Sequence, residues 1–241
     1  MSKKYLLVCE GPTDILVIDK IAEKISQDIK KTIEIQELSP QKDATSKRYP
    51  NHGWEEVRKW CRIYGKTIDS NDNPFAQLVK RRNWEALIKA SNADGLIIQL
   101  DTDIVEYITD LTYRYEGTTK QSRKRFATNA ILDWLGIDNI VDELYLLLST
   151  RSTETWLLAT HDRSENVFSN LPNSFDFEEI ENIINLLCSI NGLYNCYKHN
   201  GIEKLSKTNY QPYAKKIVDN LNKVREECEE ADKLCNFLET D

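Results

Sequence analysis

An α/β fold built on a mostly parallel sheet is the class this sequence predicts, and three observations predict it. Two apolar runs, Leu6-Leu7-Val8-Cys9 and Leu96-Ile97-Ile98-Gln99-Leu100, are bounded by turn residues, and each ends in carboxylates. Continuous apolar runs of this length read as strands buried on both faces, the pattern of parallel sheets. Between and after them the apolar residues recur at helical spacing, so strands and helices alternate along the chain.

Taken in order, residues 5–9 form the first strand. Gly11-Pro12-Thr13-Asp14 opens a helix running to about Lys31, with Ile15, Ile18, Ile21 and Ile25 near helical spacing and Thr13 or Asp14 as its cap. Thr32–Leu38 alternates apolar and polar residues, which predicts a half-exposed strand, and residues 39–53 carry Pro40, Pro50 and Gly53 as a loop. Trp54, Val57, Trp60, Cys61 and Tyr64 define one face of an amphipathic helix. Residues 65–74 break it, Phe75–Ser91 gives one or two helices, and Asn92-Ala93-Asp94-Gly95 turns the chain into the strand at 96–100.

Phe126–Leu135 is a helix stopped by Gly136, and Glu143–Leu148 is another buried strand. A helix begins at Trp156–Ala159, a polar loop spans 161–175, and Phe177–Asn191 is a helix ended by Gly192. Residues 194–212 are polar and lysine-bearing, and Pro212–Leu238 is a long amphipathic helical region. The predicted organisation is an α/β core over 1–160 and a helical extension over 161–241, packed on or beside the core.

Composition narrows the class. With 40% hydrophobic and 29% charged residues the chain is of globular type, and no apolar stretch approaches the roughly 20 residues that span a bilayer. Met1-Ser2-Lys3-Lys4 leads into a strand without the apolar core of a secretory signal, so a cytoplasmic location without membrane partners is expected. The six cysteines form no CxxC pair and the three histidines lie far apart, which argues against zinc. The same reading expects reduced thiols, with Cys9 as packing inside a strand rather than a nucleophile. A net charge of −7 excludes a protein that is basic all over, but charge acts locally. Two basic clusters stand out, Lys80-Arg81-Arg82 and the segment with Lys120, Arg123, Lys124 and Arg125. Each is either a solvated helix face or a set of phosphate contacts.

The chemistry sits where the strands end. Glu10 and Asp14 follow the first strand, and Asp101 and Asp103 follow the later one. In open parallel sheets, sites form at the carboxyl ends of strands. Two adjacent strands would bring these four carboxylates together, and a hard divalent cation such as Mg²⁺ or Mn²⁺ relieves their repulsion. Asp14 serves as helix cap or ligand, and Asp103 as exposed loop residue or ligand.

A buried strand ending in Glu10-Gly11-Pro12-Thr13-Asp14, with a later strand ending in Asp101-Thr102-Asp103, resembles the Toprim domain of topoisomerases, DnaG-type primases, recombination-mediator proteins and OLD-family nucleases. The resemblance covers roughly the first 110 residues and implies a Rossmann-like core. The chain has no room for the strand-passage domains of a topoisomerase and no cysteine spacing for a primase zinc module, which leaves a small stand-alone type. Glu154-Thr155-Trp156-Leu157-Leu158-Ala159 is similar to a stretch of one stand-alone Toprim-like family. By that resemblance Glu154 is a further acidic ligand and Lys207 the catalytic lysine, with Lys204 and Lys198 as rivals, while Glu10 acts as ligand or as general acid or base. Trp156 is read as core.

The implied activity is a Mg²⁺-dependent nuclease cutting or nicking DNA or RNA, working beside an ATPase partner in bacterial anti-phage defence. A non-catalytic Toprim-like module that binds nucleic acid or an ATPase is the alternative. A phosphotransfer domain fits poorly, because its nucleophile is usually an aspartate on the first strand, where this chain has Glu10.

Overall fold

A computed structural model of the chain describes residues 2–46, 48–66, 73–80, 83–190, 192–206 and 209–240. It is an α/β fold. The elements in order are β1 (Lys3–Val8), α1 (Pro12–Ile29), β2 (Ile33–Ser39), α2 (Trp54–Tyr64), α3 (Pro74–Lys80), α4 (Trp84–Ser91), β3 (Gly95–Asp101), α5 (Lys120–Leu135) and β4 (Leu144–Ser149). They continue with α6 (Glu154–Leu158), α7 (Ile183–Ser189), β5 (Cys196–His199), β6 (Ile202–Leu205), α8 (Gln211–Asp219), α9 (Leu221–Glu227) and α10 (Glu229–Glu239).

Four strands form an all-parallel sheet in the order β2-β1-β3-β4. The chain moves from β1 outward to β2, then returns to place β3 on the other side of β1. The carboxyl ends of β1 and β3 therefore flank the point where strand order reverses, where open α/β sheets leave a crevice.

Side-chain alternation explains the two layers. Tyr5, Leu7, Cys9, Ile97 and Leu147 face a core shared with α1, α6 and the C-terminal helices. Leu6, Val8, Leu96, Ile98, Leu100 and Leu148 face a second core with α2, α4 and α5. The first core runs without a break past residue 160: Ile18 and Ile97 share it with Ala214, Leu234 and Leu238. Phe237 of α10 stacks on Tyr145 of β4 at 4.2 Å and leans on Tyr5 of β1 at 4.9 Å, so the extension lies directly on the sheet.

The extension departs from the expected long helices. Phe177–Glu179 is a short 3₁₀ turn and α7 begins only at Ile183. Residues 196–205 form an antiparallel hairpin, β5–β6, inside a segment that reads as merely polar. The region after Pro212 is broken into α8, α9 and α10, with extended backbone at Cys228 separating the last two. The expectation that all six thiols are reduced is also corrected, since Cys188 is joined to Cys196 by a disulfide between α7 and β5. Cys9, Cys61, Cys228 and Cys235 are free and buried. Among the described residues no helix is long and apolar enough to cross a membrane.

A buried polar joint holds α8 to the segment after α6. His161 Nδ1 lies 3.0 Å from the Glu165 carboxylate, and its Nε2 lies 2.6 Å from the Tyr194 hydroxyl and 2.9 Å from Lys216 Nζ. Burial, Lys216 and more weakly Lys223 push the His161 pKa below its ordinary 6.5, against the pull of Glu165. The unfolded chain therefore takes up a proton near pH 6.5 that the fold refuses. This contribution to stability is present above pH 6.5 and is lost as the pH falls below it. His161→Gln is expected to show a smaller fall in Tm between pH 7.5 and 5.5 than the parent. Equal falls in the two proteins would show that the joint does not report on pH.

Candidate acidic site

The two strand ends are tied to each other by polar side chains. The Glu10 N–H donates to Gln99 Oε1 at 3.0 Å, and the Asp101 N–H donates back to Glu10 Oε1 at 2.7 Å. Gln99 Nε2 donates to Asp101 Oδ1 at 2.8 Å. Gln99 is fully buried, and one polar side chain thus sets both acidic residues against the switch point.

Asp14 arrives from the first turn of α1. Helix entry uses Gly11 at the cap position with Pro12 behind it, and no side chain caps the helix. The capping alternative for Asp14 is thereby corrected. Its buried carboxylate instead accepts from Thr153 Oγ1 at 2.8 Å, which brings in the segment just before α6. Gly11 has a steric reason: a Cβ there would stand 3.2 Å from Asp14 Oδ2. Glu154, buried at the start of α6, is next in the chain after Thr153.

Beyond Asp101 the backbone leaves the strand and enters a 3₁₀ turn, Thr102–Tyr107, which carries Asp103. Asp103 N–H reaches the Arg151 carbonyl at 3.4 Å, and Thr102 Oγ1 accepts from the Arg151 N–H at 3.1 Å. Arg151, in the connection between β4 and α6, adopts φ 66°, an uncommon conformation for a side-chain-bearing residue.

The fields of these groups overlap. Burial first, then the charges of Glu10, Asp14, Asp103 and Glu154, hold the Asp101 carboxyl well above its ordinary 3.8. Asp103 is pushed up to about 6 by desolvation and by Glu154, against Arg151 and Arg123. The structure therefore brings Glu10, Asp14, Asp101, Asp103 and Glu154 to one end of the sheet. Cys9 beside them is buried, and its thiol is pushed well up by burial and by Asp14, which leaves it a packing group.

Among the described residues, no three Asp, Glu, His or Cys side chains are set to hold one metal ion as they stand. The donor chemistry is nevertheless that of a hard cation: the candidate donors are all carboxylate oxygens, with Asp14 and Glu154 buried, Glu10 and Asp101 half-buried and Asp103 exposed. The buried Tyr210 hydroxyl has no partner among the described residues, and burial first, then the charges of Glu154, Asp14 and Asp101, push its pKa well up. Repulsion has a measurable consequence in chelator. Asp101→Asn together with Asp103→Asn is expected to raise Tm, since the amides keep the shape and remove two charges. An unchanged or lower Tm in the double variant would count against crowding at this edge.

The remaining expected site residues fall differently. Lys207 lies outside the described residues, as do Arg81 and Arg82. Its rival Lys198 pairs with Glu203 across the hairpin at 3.3 Å, and Lys204 is exposed. Within α5 three of the four expected phosphate-binding residues turn inward. Lys120 pairs with Asp176 at 2.5 Å and Glu178 at 3.3 Å. Lys124 pairs with Glu230 at 3.0 Å, and Arg123 pairs with Glu106 at 2.5 Å while donating to the Thr102 carbonyl at 3.2 Å. Arg125 stays exposed. It lines, with Tyr113, Arg114, Tyr115 and Phe126, a cleft of about 480 Å³.

Sequence reasoning missed Gln99, Thr153, Arg151 and Tyr210. Gln99 has a visible signal, a lone polar residue inside an apolar strand. Arg151 and Thr153 stand just before Glu154 but carry no signal of their own, and Tyr210 is far from the other site residues in the chain. Comparison of the chain with protein-family models, with curated proteins and with solved structures finds no match.

Proposed function

We propose that the chain is a Mg²⁺- or Mn²⁺-dependent nuclease of Toprim type. One observation carries the reading: five carboxylates from three separate stretches of the chain converge at the strand-order switch point of a parallel sheet. Glu10, Asp101 and Asp103 would hold the ion, with Asp14 and Glu154 at its buried side. A cation held there supplies charge neutralisation at a phosphodiester and an activated water.

This chain's own groups do the rest. Gln99 fixes the facing of Glu10 and Asp101. Arg151, whose charge acts on Asp103, would be the group to offset negative charge on a phosphate held there. The basic residues left open by internal pairing favour the cleft of Arg114 and Arg125 as the path of the nucleic acid. Tyr113, 44% exposed and packed edge-on against Phe126, offers a face on which a base would stack there. The ATPase partner and the defence role rest on the family resemblance alone.

The test is incubation of the purified chain with plasmid DNA and with RNA, in Mg²⁺, in Mn²⁺ and in chelator. Cation-dependent cleavage supports the reading. Cleavage indifferent to chelator overturns it, and binding without cleavage favours the non-catalytic module.

A further inference from the structure

The cleft beside α5 has a wall held in place by packing. Tyr113 and Tyr115 each meet Phe126 edge-on, with ring centroids 5.5 Å apart. The Tyr115 hydroxyl lies 3.1 Å from Ser122 Oγ, within the capping box that starts α5. Gly117 lets the chain close there, since a side chain at that position would run into Ser122 and the Tyr115 ring. Tyr113 is 44% exposed, so its ring is steadied by Phe126 and still open to an incoming group. A ring fixed in advance loses little freedom when something stacks on it.

One side chain joins this wall to the acidic edge. The Arg123 guanidinium lies over the Tyr115 ring at 5.3 Å and donates to the Thr102 carbonyl at 3.2 Å. Thr102 stands between Asp101 and Asp103. A chain seated in the cleft therefore lies one guanidinium away from the turn that carries the carboxylates.

Charge and shape choose the occupant. Arg114 and Arg125 are exposed and line the cleft against one carboxylate, Glu116. The local balance is positive in a chain whose net charge is −7, which suits a polyanion. In a duplex the bases are paired and stacked on one another, so their faces are closed to a protein ring. An unpaired strand offers each base face, and stacking on an aromatic ring beside a positive groove is tolerant of sequence. A cleft of about 480 Å³ has room for a base and its sugar, not for a double helix.

We propose that this cleft binds single-stranded nucleic acid, DNA or RNA, by base stacking on Tyr113. The proposal rests on the reading above of the cleft as the nucleic-acid path, and it names the form of that nucleic acid. The experiment is fluorescence anisotropy with a labelled oligothymidylate, an oligouridylate, and the thymidylate strand annealed to its complement, all in chelator so that nothing is cut. The parent is expected to bind the single strands at least about tenfold tighter than the duplex. Tyr113→Ala should weaken single-strand binding about tenfold, the scale of one lost stacking contact, and leave duplex binding unchanged. Tyr113→Phe, which keeps the ring, should bind like the parent. Arg114→Ala with Arg125→Ala should reduce the slope of log affinity against log salt by roughly 1.4, about 0.7 for each phosphate contact on a single strand. Tyr197→Ala is the control, an exposed tyrosine on β5 outside the cleft, and should change nothing.

A duplex bound as tightly as the single strands overturns the proposal, and so does a Tyr113→Ala variant that binds like the parent. A parent that binds no strand also overturns it and leaves the cleft to a protein partner. The expected binding pattern without cleavage in any cation supports the proposal and removes the nuclease reading. Cation-dependent cleavage of plasmid without preference for single strands does the reverse.

Discussion

Glu10→Gln and Asp101→Asn are each expected to lower cation-dependent cleavage by at least about 100-fold while the protein stays folded, a loss of about 2.7 kcal/mol of transition-state stabilisation. The changes are chosen to keep the hydrogen bonds and remove only the charge. A glutamine at position 10 still accepts from the Asp101 N–H through its carbonyl oxygen, and an asparagine at 101 still accepts from Gln99. A fall in activity then reports on ligand charge rather than on a disturbed strand end. Asp94 is the control. It lies just before β3, at the opposite end of the sheet, where its carboxylate accepts from the Lys4 N–H at 2.7 Å. Asp94→Asn should leave cleavage unchanged. Activity retained by both site variants would remove these carboxylates from the chemistry.

Much of this arrangement is legible in the sequence, and the reason is local. β1 and β3 are apolar because both of their faces are covered, so their ends show as abrupt changes of composition at Glu10 and Asp101. Even α2 is readable to the residue, since its apolar spacing and Gly53 are all within one helix. What escapes is set by distance along the chain. That Asp14 is bound by Thr153 rather than capping α1 depends on a contact across 139 residues. The Cys188–Cys196 bond joins two of six cysteines whose spacing carries no pairing rule. The hairpin β5–β6 is short and half-exposed, so it lacks the apolar alternation that marks a strand. The basic run in α5 looks like a phosphate patch because its partners, Asp176, Glu178 and Glu230, come from segments that only the fold brings near.

That internal pairing leads to the largest stability effect expected in the chain. Glu178 is 1% exposed and sits between Lys120 and Lys124, and its Oε1 accepts from the Glu230 N–H at 3.2 Å. Its carboxylate is desolvated but answered by two cations and a backbone donor. Removing it leaves both ammonium groups, each with a side chain no more than 16% exposed, short of negative charge, and leaves a buried N–H unpaired. Such a break costs about 3–5 kcal/mol when no other partner remains. Here Lys120 keeps Asp176 and Lys124 keeps Glu230, so the lower end, about 3 kcal/mol, is expected for Glu178→Ala. In a protein of this size that corresponds to a fall in Tm of about 6–12 °C. Glu178→Gln, which keeps the acceptor for the Glu230 N–H, should lose less. Glu181, 74% exposed and paired with Arg151 at 3.0 Å, gives the contrast. Solvent screens that pair, and Glu181→Ala should change Tm by no more than about 2 °C. Were the two alanine variants to melt alike, α5 would owe nothing to its inward-turned lysines, and Lys120 and Lys124 would return as candidates for contact with nucleic acid.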